Sequence, residues 1–446
     1  MLFRSEAFYT AIALGMGCTL LSVLVLLRGI GVAHASTAAL IMLIAARSFG
    51  DYATSGLENP LAYLLLALLC AETLREEPRV LATALLTSLL ATTRFDFGVL
   101  AGPALLAAVH RRGVRSSLSP MALGLSPFAA WSTFAVLYYG TPFPITAYAK
   151  AFAHGIPQSD LLVQGVHYLS YLATHEPVLV LATVGGIAVG LLHKPLRCRA
   201  LALGALLYTL YIVKVGGDFM AGRFLTSPFL VATAILGRWL AQQRSRWSLG
   251  AIAACMALMF AGGIPAWLRT PTDEVAAIAV AKQGPDFLQH GILDERANYY
   301  AELGLFSPQR SIPQPGVFTA ALRATGRKEP MHMLWGQVGR FGFEAGDLLQ
   351  IVDPWLCDPL LMRLPVRGAW RIGHFKRALP VGYLDSRRGA MERIHHEGLR
   401  RYASAFRSIV ADPVLSAPRL DALLSYGRGE LNPADRKSTR LNSSHQ

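Results

Sequence analysis

The sequence predicts an α-helical polytopic membrane protein of about ten spans, followed by a C-terminal extracytoplasmic α/β domain. Three observations predict it. Ten apolar runs crowd into the first 264 of 446 residues. The short loops between them alternate between strongly basic and mixed in charge. Beyond residue 264 the chain becomes more polar and rich in proline and glycine.

The runs are 9–27, 31–46, 60–75, 80–93, 97–109, 121–139, 178–192, 199–213, 227–241 and 248–264. Several approach the ~20 apolar residues that cross a bilayer as a helix. Runs 80–93 and 97–109 are shorter and meet at Arg94-Phe95-Asp96. They read either as two short helices joined at a polar break or as one kinked span. Loops carrying Arg111, Arg112 and Arg115, then Lys194, Arg197 and Arg199, then Arg244 and Arg246 follow alternate runs. The positive-inside rule makes these loops cytoplasmic. Alternation then turns outward the loops with Asp51 and Glu58, Arg94 and Asp96, Lys150, and Lys214, Asp218 and Arg223. By the same alternation residues 265–434 lie outside the cytoplasm.

In that tail, 273–291 suits an amphipathic helix with Val275, Ile278, Ala279 and Phe287 on one side. The stretch 331–353 reads as short strands broken by Gly336, Gly339, Gly342 and Gly346. Residues 388–410 suit a helix again. The final residues, 435–446, read as translated sequencing-adapter DNA and are set aside. At the other end, alternation starts Met1 outside, so an upstream helix and its outward loop are expected before it.

A chain that is 53% hydrophobic and 16% charged, with mean hydropathy +0.38, is not an ordinary soluble domain. Its net charge of +14 sits largely in short loops and the tail, where lipid headgroups account for it without nucleic acid. Cys18, Cys70 and Cys255 lie in apolar runs, Cys198 at a run's edge, and Cys357 alone in the tail. That spacing offers neither a tail disulfide nor a zinc site. His154, His167 and His175 are too scattered to suggest a metal site.

Four polar constellations interrupt the apolar pattern. Ser48 to Pro60 holds Asp51, Glu58 and several hydroxyls, and reads either as a capped, solvated loop or as a site. Lys214-Val215-Gly216-Gly217-Asp218-Phe219-Met220-Ala221-Gly222-Arg223-Phe224 sets a carboxylate between two cations. Its paired glycines, Gly216 and Gly217, let the backbone turn tightly and approach a ligand. Such a set suits a phosphate on the cations and a sugar hydroxyl on the carboxylate; the plain alternative is a turn with an interfacial ion pair. Arg94 and Asp96 are ionised groups within apolar sequence, which reads as functional by default. The loop 140–176, opening on Tyr138-Tyr139-Gly140-Thr141-Pro142-Phe143-Pro144 and reaching Lys150, suits an acceptor cleft or an interfacial helix. Lys150 suits a lipid phosphate or simply the headgroup layer.

These residues resemble a family. Phe49-Gly50-Asp51-Tyr52, Ser55-Gly56-Leu57-Glu58, Tyr139-Gly140 with Lys150, and above all Gly216-Gly217-Asp218-Phe219-Met220 with Arg223-Phe224 are similar to GT-C glycosyltransferases. The nearest likeness is to the terminal β-(1→2)-arabinofuranosyltransferases of mycobacterial walls and their Gram-negative relatives. In the tail, Ile351-Val352-Asp353, Asp358-Pro359-Leu360-Leu361, Arg371-Ile372-Gly373-His374 and Pro380-Val381-Gly382-Tyr383 agree with it.

The resemblance implies a multi-pass protein of the bacterial inner (plasma) membrane. It implies an inverting glycosyltransferase that takes a sugar from a polyprenyl-phosphate donor to a cell-envelope glycan or lipid acceptor on the extracytoplasmic face. It names no particular cofactor and leaves room for a divalent cation. The family's general base sits in a first outward loop, which this sequence does not show. Asp51 and Asp218 are then supporting acids, and Glu58, Arg94, Asp96, Lys150, Lys214, Gly216, Gly217 and Arg223 line the substrates, with Lys150, Lys214 and Arg223 on the donor phosphate. The rivals are a lipid-linked sugar transporter or flippase, which predicts internal repeats and mid-bilayer charges, and a non-catalytic assembly subunit.

Overall fold

The computed structural model describes residues 7–150, 155–193, 195–261, 285–294, 296–304, 317–326, 330–336 and 338–428, with a few single positions besides. The chain divides into two compact units, one of residues 1–130 and 158–310, the other of 131–157 and 311–446. The second unit is therefore built from the tail together with the loop region around Lys150.

The first unit is helical: α1 (Ala7–Ile30), α2 (Ala33–Ala45), α3 (Arg47–Asp51), α4 (Asn59–Thr73), α5 (Val80–Thr93), α6 (Phe97–Arg112) and the start of α7 (Val114–Tyr139). After α8 (Ile145–Lys150) of the other unit, it resumes with α9 (Gln158–His175), α10 (Pro177–Leu192), α11 (Leu196–Lys214), α12 (Thr226–Leu240) and α13 (Ser245–Ala261), then the short α14 (Pro285–His290) and α15 (Arg296–Leu303). Each of the ten apolar runs coincides with one of these helices. Arg94-Phe95-Asp96 separates two distinct helices, α5 and α6, rather than kinking one.

Three of the described helices, α1, α7 and α11, are long and apolar enough to cross a membrane, and α9 with α10 would make a fourth span bent by 112° at Glu176. Others are apolar but shorter, among them α2, α4 and α5. Small residues let the helices approach closely, as between helices in lipid. A methyl group on Gly186 would lie 2.5 Å from the Ala232 side chain, and one on Gly190 would lie 2.6 Å from that of Ala202.

The packing sorts loop residues to two ends of this unit. At one end Arg197, opening α11, donates to the Arg75 carbonyl beyond α4 at 3.0 Å. The opposite ends of α4, α6 and α11 bring together Glu58, Arg94, Asp96, Asp218 and Arg223. Arg197 and the cluster of Glu58 and Arg223 thus stand at opposite ends of this unit.

The second unit contains the end of α7, α8, α16 (Val317–Ala324), β1 (Met331–Leu334), α17 (Gly339–Ala345), β2 (Leu349–Val352), α18 (Tyr383–Arg387), α19 (Glu397–Ala411) and α20 (Ala417–Gly427). β1 and β2 pair in parallel, Met331 opposite Leu349 through Leu334 opposite Val352. The expectation of strands throughout 331–353 is corrected here. A parallel pair needs a crossover, and Gly339–Ala345 supplies it as a helix ended by Gly346 at φ +55°. The helix expected over 388–410 starts only at Glu397, where the His396 side chain caps the Leu399 amide at 3.2 Å. The amphipathic helix expected over 273–291 falls largely outside the described residues, as do Lys194 and 435–446.

Tyr383, Tyr402, Phe406 and Ile409 form this unit's core, with Ile145 and Tyr148 of α8 against it. Two buried arginines fasten the 131–157 segment. Arg419 donates to the Leu137 and Tyr138 carbonyls at 2.9 and 2.7 Å, capping the end of α7. Arg377 donates to carbonyls of Leu364, Phe375, Met362 and Ala149.

Candidate functional site

The loop between α11 and α12 is held by its main chain. Gly216 and Gly217 adopt φ of +87° and +75°, which reverses the chain after Lys214. From Phe219 to Arg223 every carbonyl has a fixed partner. Phe219 accepts from the Leu293 amide at 3.0 Å and Met220 from the Tyr168 hydroxyl at 3.3 Å. Ala221 accepts from the Tyr52 hydroxyl at 2.9 Å, while its amide donates to Leu293 at 3.0 Å. Arg223 accepts from Asn59 at 3.2 Å and Thr226 at 2.8 Å. A loop so anchored presents its side chains in set positions, which is what recognition or catalysis requires.

Those side chains join an extended charge network. Arg223 donates through Nη2 to both Glu58 oxygens, at 2.8 and 3.0 Å, and its Nη1 lies 3.7 Å from Asp218. Arg94 donates to Glu58 at 3.3 Å and grips Asp96 through two bonds, at 3.1 and 2.6 Å. The Tyr208 hydroxyl adds a bond to Asp96 at 3.0 Å. Phe224 lies under Arg94, whose guanidinium carbon sits 4.3 Å from the ring centre. Asp218 is fully buried, and its other oxygen accepts from the Phe219 amide at 3.0 Å. Burial alone would raise the Glu58 carboxyl, but Arg223 and Arg94 together hold it below the usual carboxylate range. Burial likewise opposes the charge on Arg223, and Asp218 and Glu58 outweigh it, so its pKa rises.

A second polar group adjoins the first. Glu176, at the bend between α9 and α10, accepts from the Ser48 amide at 2.8 Å and from the Ser48 hydroxyl. Ser48 in turn lies against Gly222 of the anchored loop. Arg47 pairs with Asp51 at 3.1 Å and with Asp294.

The structure therefore brings together Glu58, Arg94, Asp96, Asp218 and Arg223, with Gly216 and Gly217 shaping the loop. Asp51 stands in the neighbouring cluster on Arg47. Lys214 is exposed and, among the described residues, has no carboxylate partner, and its carbonyl accepts from Gln158 at 2.7 Å. Lys150 ends α8 in the second unit. Arg223 and Arg94 are both engaged by carboxylates. Three acids against two guanidiniums give this cluster a formal excess of one negative charge. No group of three or more His, Cys, Asp or Glu suited to a metal occurs among the described residues.

Ser48, Tyr52 and Asn59 lie within the 48–60 constellation that the sequence marks, and Tyr168 and Glu176 within the loop 140–176, whereas Tyr208 belongs to none of the four. Of these last three, only Glu176 carried a signal of its own, as a carboxylate immediately before the proline that opens an apolar run. The hydroxyls of Tyr168 and Tyr208 are invisible without knowing which face of α9 and α11 meets the loop.

Apolar helices with a buried charge network at one end define a helical membrane protein with a built polar site. The chain is 27% identical, over a 360-residue alignment, to the terminal β-(1→2)-arabinofuranosyltransferase of Mycobacterium tuberculosis. The alignment covers 67% of this chain and 55% of that protein, so the chain spans about half the length of this relative. No family model matches the chain, and no solved structure matches it.

Proposed function

We propose that this protein is a membrane glycosyltransferase of the GT-C type, acting on cell-envelope glycans. It takes a sugar from a polyprenyl-phosphate donor at the extracytoplasmic face of the bacterial inner membrane. The observation that carries the reading is the anchored loop from Gly216 to Arg223 with its ion network to Glu58 and Arg94. Its position at the end of the unit opposite the basic loops supports an outward-facing site. The similarity to an arabinofuranosyltransferase supports the reaction class.

In that reaction an acceptor hydroxyl attacks the anomeric carbon, the bond from that carbon to the phosphate oxygen breaks, and the polyprenyl phosphate departs. The hydroxyl proton passes to a base, and the configuration inverts. Carboxylates already held in place by guanidiniums suit the sugar, since each retains lone pairs for hydroxyl donors. Glu58, Asp96 and Asp218 are assigned that positioning role, with Asp51 supporting it from the adjoining cluster. The phosphate falls to Lys214, exposed beside Gly216 and Gly217. Arg223 and Arg94 orient the acids.

Membranes from cells expressing the protein, given a polyprenyl-phosphate pentose and envelope glycan acceptors, should show transfer. Arg223→Ala should lower turnover at least ~10-fold, about 1.4 kcal/mol of transition-state stabilisation. Unchanged turnover at normal expression would remove the network from the site.

A further inference from the structure

At the basic end of the first unit, an open cleft is lined by Glu76, His110, Arg111, Pro195, Leu196 and Arg197. It lies where the loop after α4, the end of α6 and the start of α11 meet. Glu72, a buried acid in the last turn of α4, is already taken: Arg79 binds it through its amide at 2.7 Å and its guanidinium at 3.1 and 2.8 Å. Arg111 and Arg197, by contrast, have no carboxylate within ion-pair distance among the described residues. The carbonyl of Arg75 holds Arg197 in place at 3.0 Å. Glu76 is the one acid lining the cleft, against these two guanidiniums. The α11 N-terminus, which no side chain caps, adds its positive end.

Apolar surface leads away from this cleft along the same helices. Leu106 stands one turn before His110 on α6 and is 69% exposed; Leu203 stands two turns after Leu196 on α11 and is 41% exposed. Uncompensated cations at a helix end, with exposed leucines running back along the helices, match one kind of molecule. We infer that this cleft binds an anionic phospholipid, its phosphate between Arg111 and Arg197 and its acyl chains on Leu106 and Leu203. The inference stands apart from the proposed reaction, since none of these residues belongs to the charge network.

The test is retention of added lipid by the detergent-purified protein, read by native mass spectrometry, with melting temperature as a second readout. Phosphatidylglycerol should be retained and should raise the melting temperature, whereas phosphatidylcholine should do neither. Each cation near a headgroup strengthens binding roughly 5-fold, so Arg111→Gln should weaken retention about 5-fold and the Arg111→Gln/Arg197→Gln pair ~30-fold. Arg115→Gln, at an exposed position outside the cleft, should leave it unchanged. Equal retention of the two lipids, or full retention by the double variant, would overturn the site. Inorganic phosphate that displaces the lipid and stabilises the protein as well would overturn the lipid assignment in favour of a free phosphate.

Discussion

Gly222 is the tightest point of the candidate site, and replacing it with alanine tests how that site is built. Its φ is +74°, and an added methyl group would run into the Ser48 side chain and lie 3.2 Å from a Glu176 oxygen. Gly56 offers a matched control in the same unit. Its φ is +72°, yet a methyl group there would meet nothing nearer than Ala11, at 3.8 Å. Both substitutions force an alanine into the left-handed region, at about 1–2 kcal/mol each. Only Gly222→Ala must also displace a buried serine and its glutamate partner, adding ~1–3 kcal/mol of overpacking. Membrane proteins commonly unfold irreversibly, so apparent melting temperatures should be compared at one scan rate. Gly222→Ala should melt several degrees below Gly56→Ala. It should also lose transfer by ~10²-fold, because shifting Arg223 by an ångström disturbs every group paired with it. Equal melting and equal transfer in the two variants would refute the convergence of Ser48, Glu176 and the anchored loop.

Other expectations follow from the same contacts. Glu58→Gln should destabilise the first unit by ~2 kcal/mol, less than for a fully buried pair because Glu58 is partly exposed. Since the folded Glu58 carboxyl sits low, its contribution is complete above the unfolded value of ~4.3 and is lost as pH falls through the lower folded value. Acid melts of wild type and the glutamine variant should therefore draw together as pH falls below ~4.3, and curves that stay parallel would contradict this. Lys214→Ala should raise the donor KM ~10-fold with little change in kcat, while Lys214→Arg restores it; an unchanged KM would move the phosphate elsewhere. Arg419→Ala should cost about 3 kcal/mol by stripping donors from the Leu137, Tyr138 and Asp412 carbonyls. Amide exchange around residues 137–145 should then quicken, and unaltered exchange would count against the clasp. Burial and the nearby Asp353 push the Cys357 thiol up to about 12, so maleimide labelling should still climb tenfold per pH unit between 8 and 10. A plateau near pH 9 would show an ordinary thiol.

Much of the helical unit was legible because hydrophobic runs are a coarse signal that survives without knowing any contact. Arg94-Phe95-Asp96 marked a break, and Gly216-Gly217-Asp218 marked a loop, since charges and paired glycines are costly inside an apolar helix. What the sequence could not show was pairing. Arg223 read as a phosphate ligand because it and Lys214 flank a single acid, Asp218, whereas Glu58, 165 positions from Arg223 along the chain, binds both Arg223 and Arg94. Glu176 and Ser48 meet across 128 residues, a distance no local pattern spans. In the tail, Gly339 and Gly342 read as strand breakers, but the crossover needed by two parallel strands overrode that weak local preference. Arg377 and Arg419, each bonded to backbone carbonyls, leave no mark in sequence, because any residue can supply a carbonyl.

The central claim is that the polyprenyl-phosphate donor sits on the loop from Lys214 to Arg223 and its partners. Photo-crosslinking the protein with a polyprenyl-phosphate sugar analogue carrying a diazirine near the phosphate, followed by peptide mapping, tests this directly. The account predicts label within 52–60, 94–97 and 214–224, suppressed by excess natural donor and reduced in Lys214→Ala. Label confined to the lipid-facing sides of α1 and α7, and indifferent to competitor, would contradict it.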